Sequence, residues 1–264
     1  MLELEPILRH AVPFTLVLFR LLGLAVVAPV LSSLGIPAQA KILISVMLAA
    51  AIYPLVPAAW AATAPLDTWS LLPLVASEVF VGAAIGLLAA APMLILQVSG
   101  FLIGHQMALN LVASYSPDEA SSDAIGQMLL LLATAGFLVA GGLETLFLTL
   151  GGTFETLPAG AMGFADAPLQ PLLAILSSGT ELALRVSLPV IGILMVALLV
   201  MAFVSKTMPQ LNIMTVGFTL KIMCGLTLLL WSLNAIAEVA GEEVERVLGE
   251  VVRWSGGLGE RGGG

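Results

Sequence analysis

Residues 189–204 read PVIGILMVALLVMAFV, and runs of this kind fill most of the 264-residue chain. No feature constrains the fold more. Backbone N–H and C=O groups inside such runs must be satisfied internally if lipid surrounds them, which leaves helices or a closed barrel. Barrel strands alternate in short segments of ~10 residues, whereas these runs are longer, continuous and rich in Leu and Ala. Charge decides between a buried core and a bilayer. Only 10% of residues are charged and 59% are hydrophobic, with a mean hydropathy of +1.10. A soluble domain carries about 25% charged residues, so this chain cannot solvate a globular surface. The expected fold class is all-α: a multi-helix integral membrane protein with kinked helices and helical hairpins, built to pack into a larger helical assembly.

A spanning helix needs about 20 apolar residues. Candidate segments are Ala11–Leu31, Lys41–Ala62, Leu71–Ala113 (long enough for two passes), Ile125–Phe154, Leu172–Val204 and Ile213–Ala237. Residues 1–237 therefore read as one membrane domain. From Glu238 the chain changes character, with six acids and three arginines before its end. Val239, Val244, Val247, Leu248, Val251 and Val252 recur there at helical spacing. Residues 238–264 read as an acidic amphipathic tail ending in a disordered Gly-rich stretch. Lys and Arg are too sparse between segments to set an orientation by the positive-inside rule. Met1–His10 carries two acids and one Arg and does not read as a cleaved leader.

Several function classes lose support at this point. No basic patch suggests nucleic acid. The single Cys224 excludes an intrachain disulfide or a thiolate cluster, and His10 and His105 lie far apart in sequence. No nucleotide-binding Gly-rich loop or nucleophile–base set is visible, so no enzyme activity, cofactor or metal site is expected.

The informative residues are charges inside apolar runs: Arg20, Glu78, Glu144, Glu181, Arg185 and Lys221. Each lone charge at the bilayer centre costs about 2.5–3.5 kcal/mol on insertion scales, so such groups pair or face water. Glu181 and Arg185 stand four apart and can pair on one helix face. The other four have no local partner, leaving pairing within the fold or across subunits, or a proton path. Gly82 with Gly86, and Gly100 with Gly104, form two small-xxx-small motifs that permit close helix packing in lipid. Pro92, between them, should kink or break its helix.

One insert stands out. SKTMPQLNIMTVGFTLKI, residues 205–222, places Lys206, Pro209, Gln210, Asn212 and Lys221 between two apolar runs. It resembles the signature of the FliR family: a basic residue, Pro-Gln, an Asn shortly after, then a Gly-Phe/Leu-Pro-x-Lys element. Thr219 replaces the usual Pro. GFLIGHQMALNLVASYSPDEASSDAIGQM, residues 100–128, is similar to that family's Gly-x-x-x-Gly-x-Gln-Met helix end and following loop. There Ala108 stands where Gly is usual and Ser116-Pro117 where Asp-Pro is common. LGIPAQAKILISVMLAAAIYPLVP (34–57) and GGLETLFLTLGGTFETLPAG (141–160) match in order as well, so the resemblance covers most of residues 21–233.

That resemblance implies a non-enzymatic component of the flagellar type III export gate in the bacterial inner membrane, raised in part toward the periplasm. It implies assembly of one copy with FliP and FliQ, contact with FlhB, and passage of unfolded substrates. A loop over 106–123 would plug the pore, with Gln106, Met107, Leu111, Val112, Tyr115, Pro117 and Asp118 as constriction residues. Arg20, Glu78, Glu144, Glu181, Arg185, Lys206, Pro209, Gln210, Asn212 and Lys221 become candidates for assembly contacts. The equivalent SctT component of a virulence type III secretion system is the nearest alternative. A secondary transporter with its own small-molecule site and a scaffold that lines no pathway are the others.

Overall fold

Helices begin where the apolar runs begin, but they end where local chemistry stops them. The computed structural model describes residues 4–33, 37–56, 68–109, 123–157, 169–207 and 213–261. Its elements are α1 (Leu4–Val27), α2 (Pro29–Ser33), α3 (Ala38–Ile52), a 3-10 turn (Tyr53–Leu55), α4 (Thr68–Gln106), α5 (Ala124–Val139), α6 (Gly142–Thr156), α7 (Leu169–Thr207) and α8 (Ile213–Arg261). No strand occurs among the described residues. The chain is an all-α integral membrane protein.

Helices α1, α4, α7 and α8 are each long and apolar enough to cross a bilayer. Four expectations about segment ends are corrected. Lys41–Ala62 is not one span: α3 stops at Ile52, and its 15 residues reach only about 22 Å at 1.5 Å per residue. Pro54 explains the stop, since it lacks a backbone donor for a continuing helix and sits instead in the 3-10 turn. Ile125–Phe154 is also two helices, α5 and α6, with a break between Val139 and Gly142. Gly141 makes the turn at φ 71°, in the left-handed region that costs Gly nothing. In contrast, α4 is a single 39-residue helix, not two passes, and it continues through Pro92. Finally, α8 runs unbroken from the apolar segment through Glu238 to Arg261, so the acidic tail, Ser255–Arg261 included, is the end of a long helix.

Two compact units divide the chain: Met1–Ala91, Gly141–Ile175 and Val244–Gly264 form the first, and Pro92–Ala140 with Leu176–Glu243 form the second. The boundary inside α4 falls at Pro92. In the first unit α3 packs on α1, where His10 Nδ1 lies 2.7 Å from the Tyr53 hydroxyl. Val244, Val247 and Val251 are buried there too. In the second unit, Ile103, Met107, Ile125, Val190, Leu194 and Leu229 form the core. Two buried hydroxyls of this unit are satisfied within their own helices: Thr134 Oγ1 donates to the Leu130 carbonyl at 2.7 Å and Ser187 Oγ to the Ala183 carbonyl at 2.7 Å. This back-bonding is how a Ser or Thr sits in an apolar helix without an unmet donor.

Candidate functional site

The first unit holds a buried charge cluster. Arg20 on α1 and Glu78 on α4 are each 1% exposed and meet through Nε and Oε2 at 2.5 Å. Arg20 Nη1 also donates to Thr153 Oγ1 on α6 at 3.0 Å, and the guanidinium carbon lies 4.7 Å from the centre of the Phe154 ring. Thr153 Oγ1 passes its own proton to the Leu150 carbonyl at 2.6 Å. One arginine thus ties three helices together. Its planar fork, with five donors, suits several partners at once better than a lysine would.

Glycine makes this geometry possible. A Cβ at Gly82, one turn from Glu78, would overlap the Arg20 carbonyl oxygen, and one at Gly23 would overlap the Val79 carbonyl oxygen. At Gly86 a Cβ would lie 3.1 Å from the Ala28 amide nitrogen. The motif Gly82-xxx-Gly86 therefore packs α4 onto α1, within this chain. Gly100 does the same in the second unit, where a Cβ would lie 2.6 Å from Gly126 Cα on α5. Gly104 is buried. Asp123 caps α5 by accepting a hydrogen bond from the Gly126 amide at 3.0 Å, which fixes the helix end that Gly100 meets.

At the C-terminal end of α4, Gln106 Nε2 donates to Met195 Sδ at 3.0 Å. Met107 is fully buried against Gly225, where a Cβ would come within 2.6 Å of its sulfur. Ala108 follows at φ 63°, the left-handed conformation that turns the chain off the helix. Replacing Ala108 with Gly is expected to raise stability by about 0.5–1 kcal/mol, since an L-residue there costs ~1–2 kcal/mol and Gly loses ~0.5–1 kcal/mol of chain entropy. Ala108→Val should lower it. Thermal unfolding in detergent distinguishes them, and equal midpoints for the three proteins would contradict the strain.

The remaining candidates are dispersed. Glu181 and Arg185 pair at 2.5 Å on the outside of α7, with side chains 63% and 71% exposed. Lys206 is exposed at the last turn of α7, Lys221 half-buried on α8, and Glu144 exposed in the first turn of α6. Leu111, Val112, Tyr115, Pro117, Asp118, Pro209, Gln210 and Asn212 lie outside the described residues. The structure joins Arg20 to Glu78 and Glu181 to Arg185. It also shows partners that sequence alone did not: Thr153, Phe154, Gly23, Met195 and Gly225. Gly23, three residues after Arg20, was the one legible signal among them, as a small residue on the same face of α1.

Among the described residues no group of three or more His, Cys, Asp or Glu is placed to hold a metal ion. The site's chemistry is that of packing and pairing between helices. The family of bacterial export proteins, family 1, matches residues 11–247. The chain belongs to this family. Among family relatives, the flagellar biosynthetic protein FliR of Escherichia coli K12 is 28% identical over 244 residues, covering 89% of this chain and 90% of that protein. FliR of Pectobacterium carotovorum is 27% identical over 240 residues, covering 88% and 90%. The surface presentation of antigens protein SpaR of Salmonella typhimurium is 25% identical over 158 residues, covering 60% and 59%. The match to the bacterial export family spans both compact units and contains the Arg20–Glu78 pair.

Proposed function

We propose that this chain is a non-enzymatic core component of a type III protein export gate in the bacterial inner membrane, flagellar in use. It joins FliP and FliQ homologues as one copy around a channel for unfolded substrates, with FlhB alongside and part of the assembly raised toward the periplasm. The observation that carries this is the family match over residues 11–247. The two relatives aligned over nearly nine-tenths of the chain both bear the flagellar name, which favours that use over the virulence counterpart.

Residues 106–123 are proposed as the plug. Cysteines introduced at Tyr115 and Asp118 should crosslink to a stalled export substrate. Reaction with lipid-soluble reagents and no substrate contact would count against the plug and favour a scaffold. Lys221→Glu is expected to weaken co-purification with FliP and FliQ, because it reverses a half-buried charge in an apolar helix. Unchanged recovery of both would remove Lys221 from the assembly contacts.

A further inference from the structure

The exposed face of α7 has the dimensions of a bilayer. Arg185, Leu188, Gly192, Val196, Leu199, Phe203 and Lys206 recur three or four residues apart, so they share one face, and all are exposed. No charge interrupts Val186–Ser205. Arg185 and Lys206 are 21 positions apart on one continuous helix, about 31 Å at 1.5 Å per residue, against a hydrocarbon thickness of ≈ 30 Å. We propose that this face of the α7–α8 hairpin contacts lipid acyl chains directly, with Arg185 and Lys206 at the two phosphate levels.

The hairpin's register supports the same boundaries. Met201 Cε lies 3.6 Å from a Cβ placed on Gly217, and Ser178 Oγ is 3.3 Å from Glu243 Oε1, so α7 and α8 run antiparallel. Stepping between these contacts puts Trp231 near the level of Leu188, one turn inside Arg185. Trp231 is 85% exposed, and exposed tryptophan concentrates at the membrane–water interface. The acids Glu238 and Glu242 fall beyond that level, beside Glu181 and Ser178. Lys221 is the exception, falling near the level of Ala197. Helical side chains lean toward their own N-terminus, which carries its ammonium back toward the Lys206 boundary, where its long stem lets the charge reach polar surroundings.

A protein partner fits this face less well. Helices in lipid associate closely through small residues, and this chain uses Gly23, Gly82, Gly86 and Gly100 for its own close contacts. On the exposed face of α7, Gly192 has Leu188 and Val196 as its neighbours four residues away, so no small-xxx-small pair exists there. The lipid contact is independent of which export system the chain serves.

The test uses the full chain, purified with whatever accompanies it, in phosphatidylcholine–phosphatidylglycerol vesicles. On a Cys224→Ala background, single cysteines at Glu181, Leu188, Val196, Leu199 and Phe203 carry an environment-sensitive fluorophore. Brominated phosphatidylcholines and aqueous iodide serve as quenchers. Lipid quenching should peak at Val196, midway between the two cations, decline toward Leu188 and Phe203, and give way to iodide quenching at Glu181. Loss of quenching by both agents at Val196 and Leu199 would mean a protein covers the face and would overturn the proposal. Iodide quenching at those two positions would overturn it equally, by placing the face in water.

Discussion

Glu78→Ala is expected to lower stability by about 3–5 kcal/mol, the cost of leaving a buried charge without its partner. The size follows from burial: Arg20 and Glu78 are each 1% exposed, so water cannot take over as ligand to the guanidinium. Thr153 and Phe154 remain beside it, but neither supplies a negative charge. Arg20→Ala should be comparably damaging, since it strands the carboxylate. A double substitution, Arg20→Met with Glu78→Leu, should recover much of the loss, because well-packed apolar replacements of buried pairs are often neutral. Unfolding of the detergent-solubilised chain by heat or by titrated SDS measures all three. If the double variant is as unstable as the two single losses added, the residues are not acting as a pair.

Gly82→Val should be of similar size, about 3 kcal/mol or more, for two reasons that reinforce each other. The added carbons meet backbone atoms, the Arg20 carbonyl oxygen and the Leu24 amide nitrogen, which a rotamer change cannot relieve. Overpacking of this kind costs ~1–3 kcal/mol by itself. Separating α1 from α4 also stretches the Arg20–Glu78 contact one turn away, adding the penalty of an imperfectly paired buried charge. Gly136→Ala provides the control: a Cβ there has nothing within 4 Å, and helix propensity favours Ala by ~1 kcal/mol. Equal effects at Gly82 and Gly136 would mean that helix propensity, not the α1–α4 contact, sets the cost.

The contrast between these positions explains what could be learned from sequence. Glu181 and Arg185 were readable because one helix brings them together, whatever else the fold does. Arg20 and Glu78 are 58 residues apart, and nothing in either neighbourhood names the other; only the packing of α1 on α4 joins them. Of the routes left open for such charges, pairing within the fold or across subunits, this pair takes the first. Gly82 and Gly86 announced a close helix contact, yet not which helix they would meet. Segment ends differ from the expectation where one residue decides: Pro54 stops α3, and Gly141, at the start of α6, interrupts the run. Pro92 does not break its run, since α4 passes through it. Amphipathic spacing in the tail was legible, whereas its continuity with the preceding apolar helix was not, because no Pro or capping residue marks either a stop or its absence.

The exposed apolar faces and the internally satisfied charges point to a division of labour. Unit one supplies its own ionic partners, while α7 and α8 leave large apolar surfaces for surroundings outside the chain. Membership of the bacterial export family gives those surroundings a place in an export apparatus. The most direct measurement is native mass spectrometry of the affinity-tagged full chain, gently extracted from its own cells. One copy of this chain held with several copies of FliP and FliQ homologues is the predicted result. Recovery of the chain alone, folded and able to move a small solute into liposomes unaided, would contradict the export-gate role.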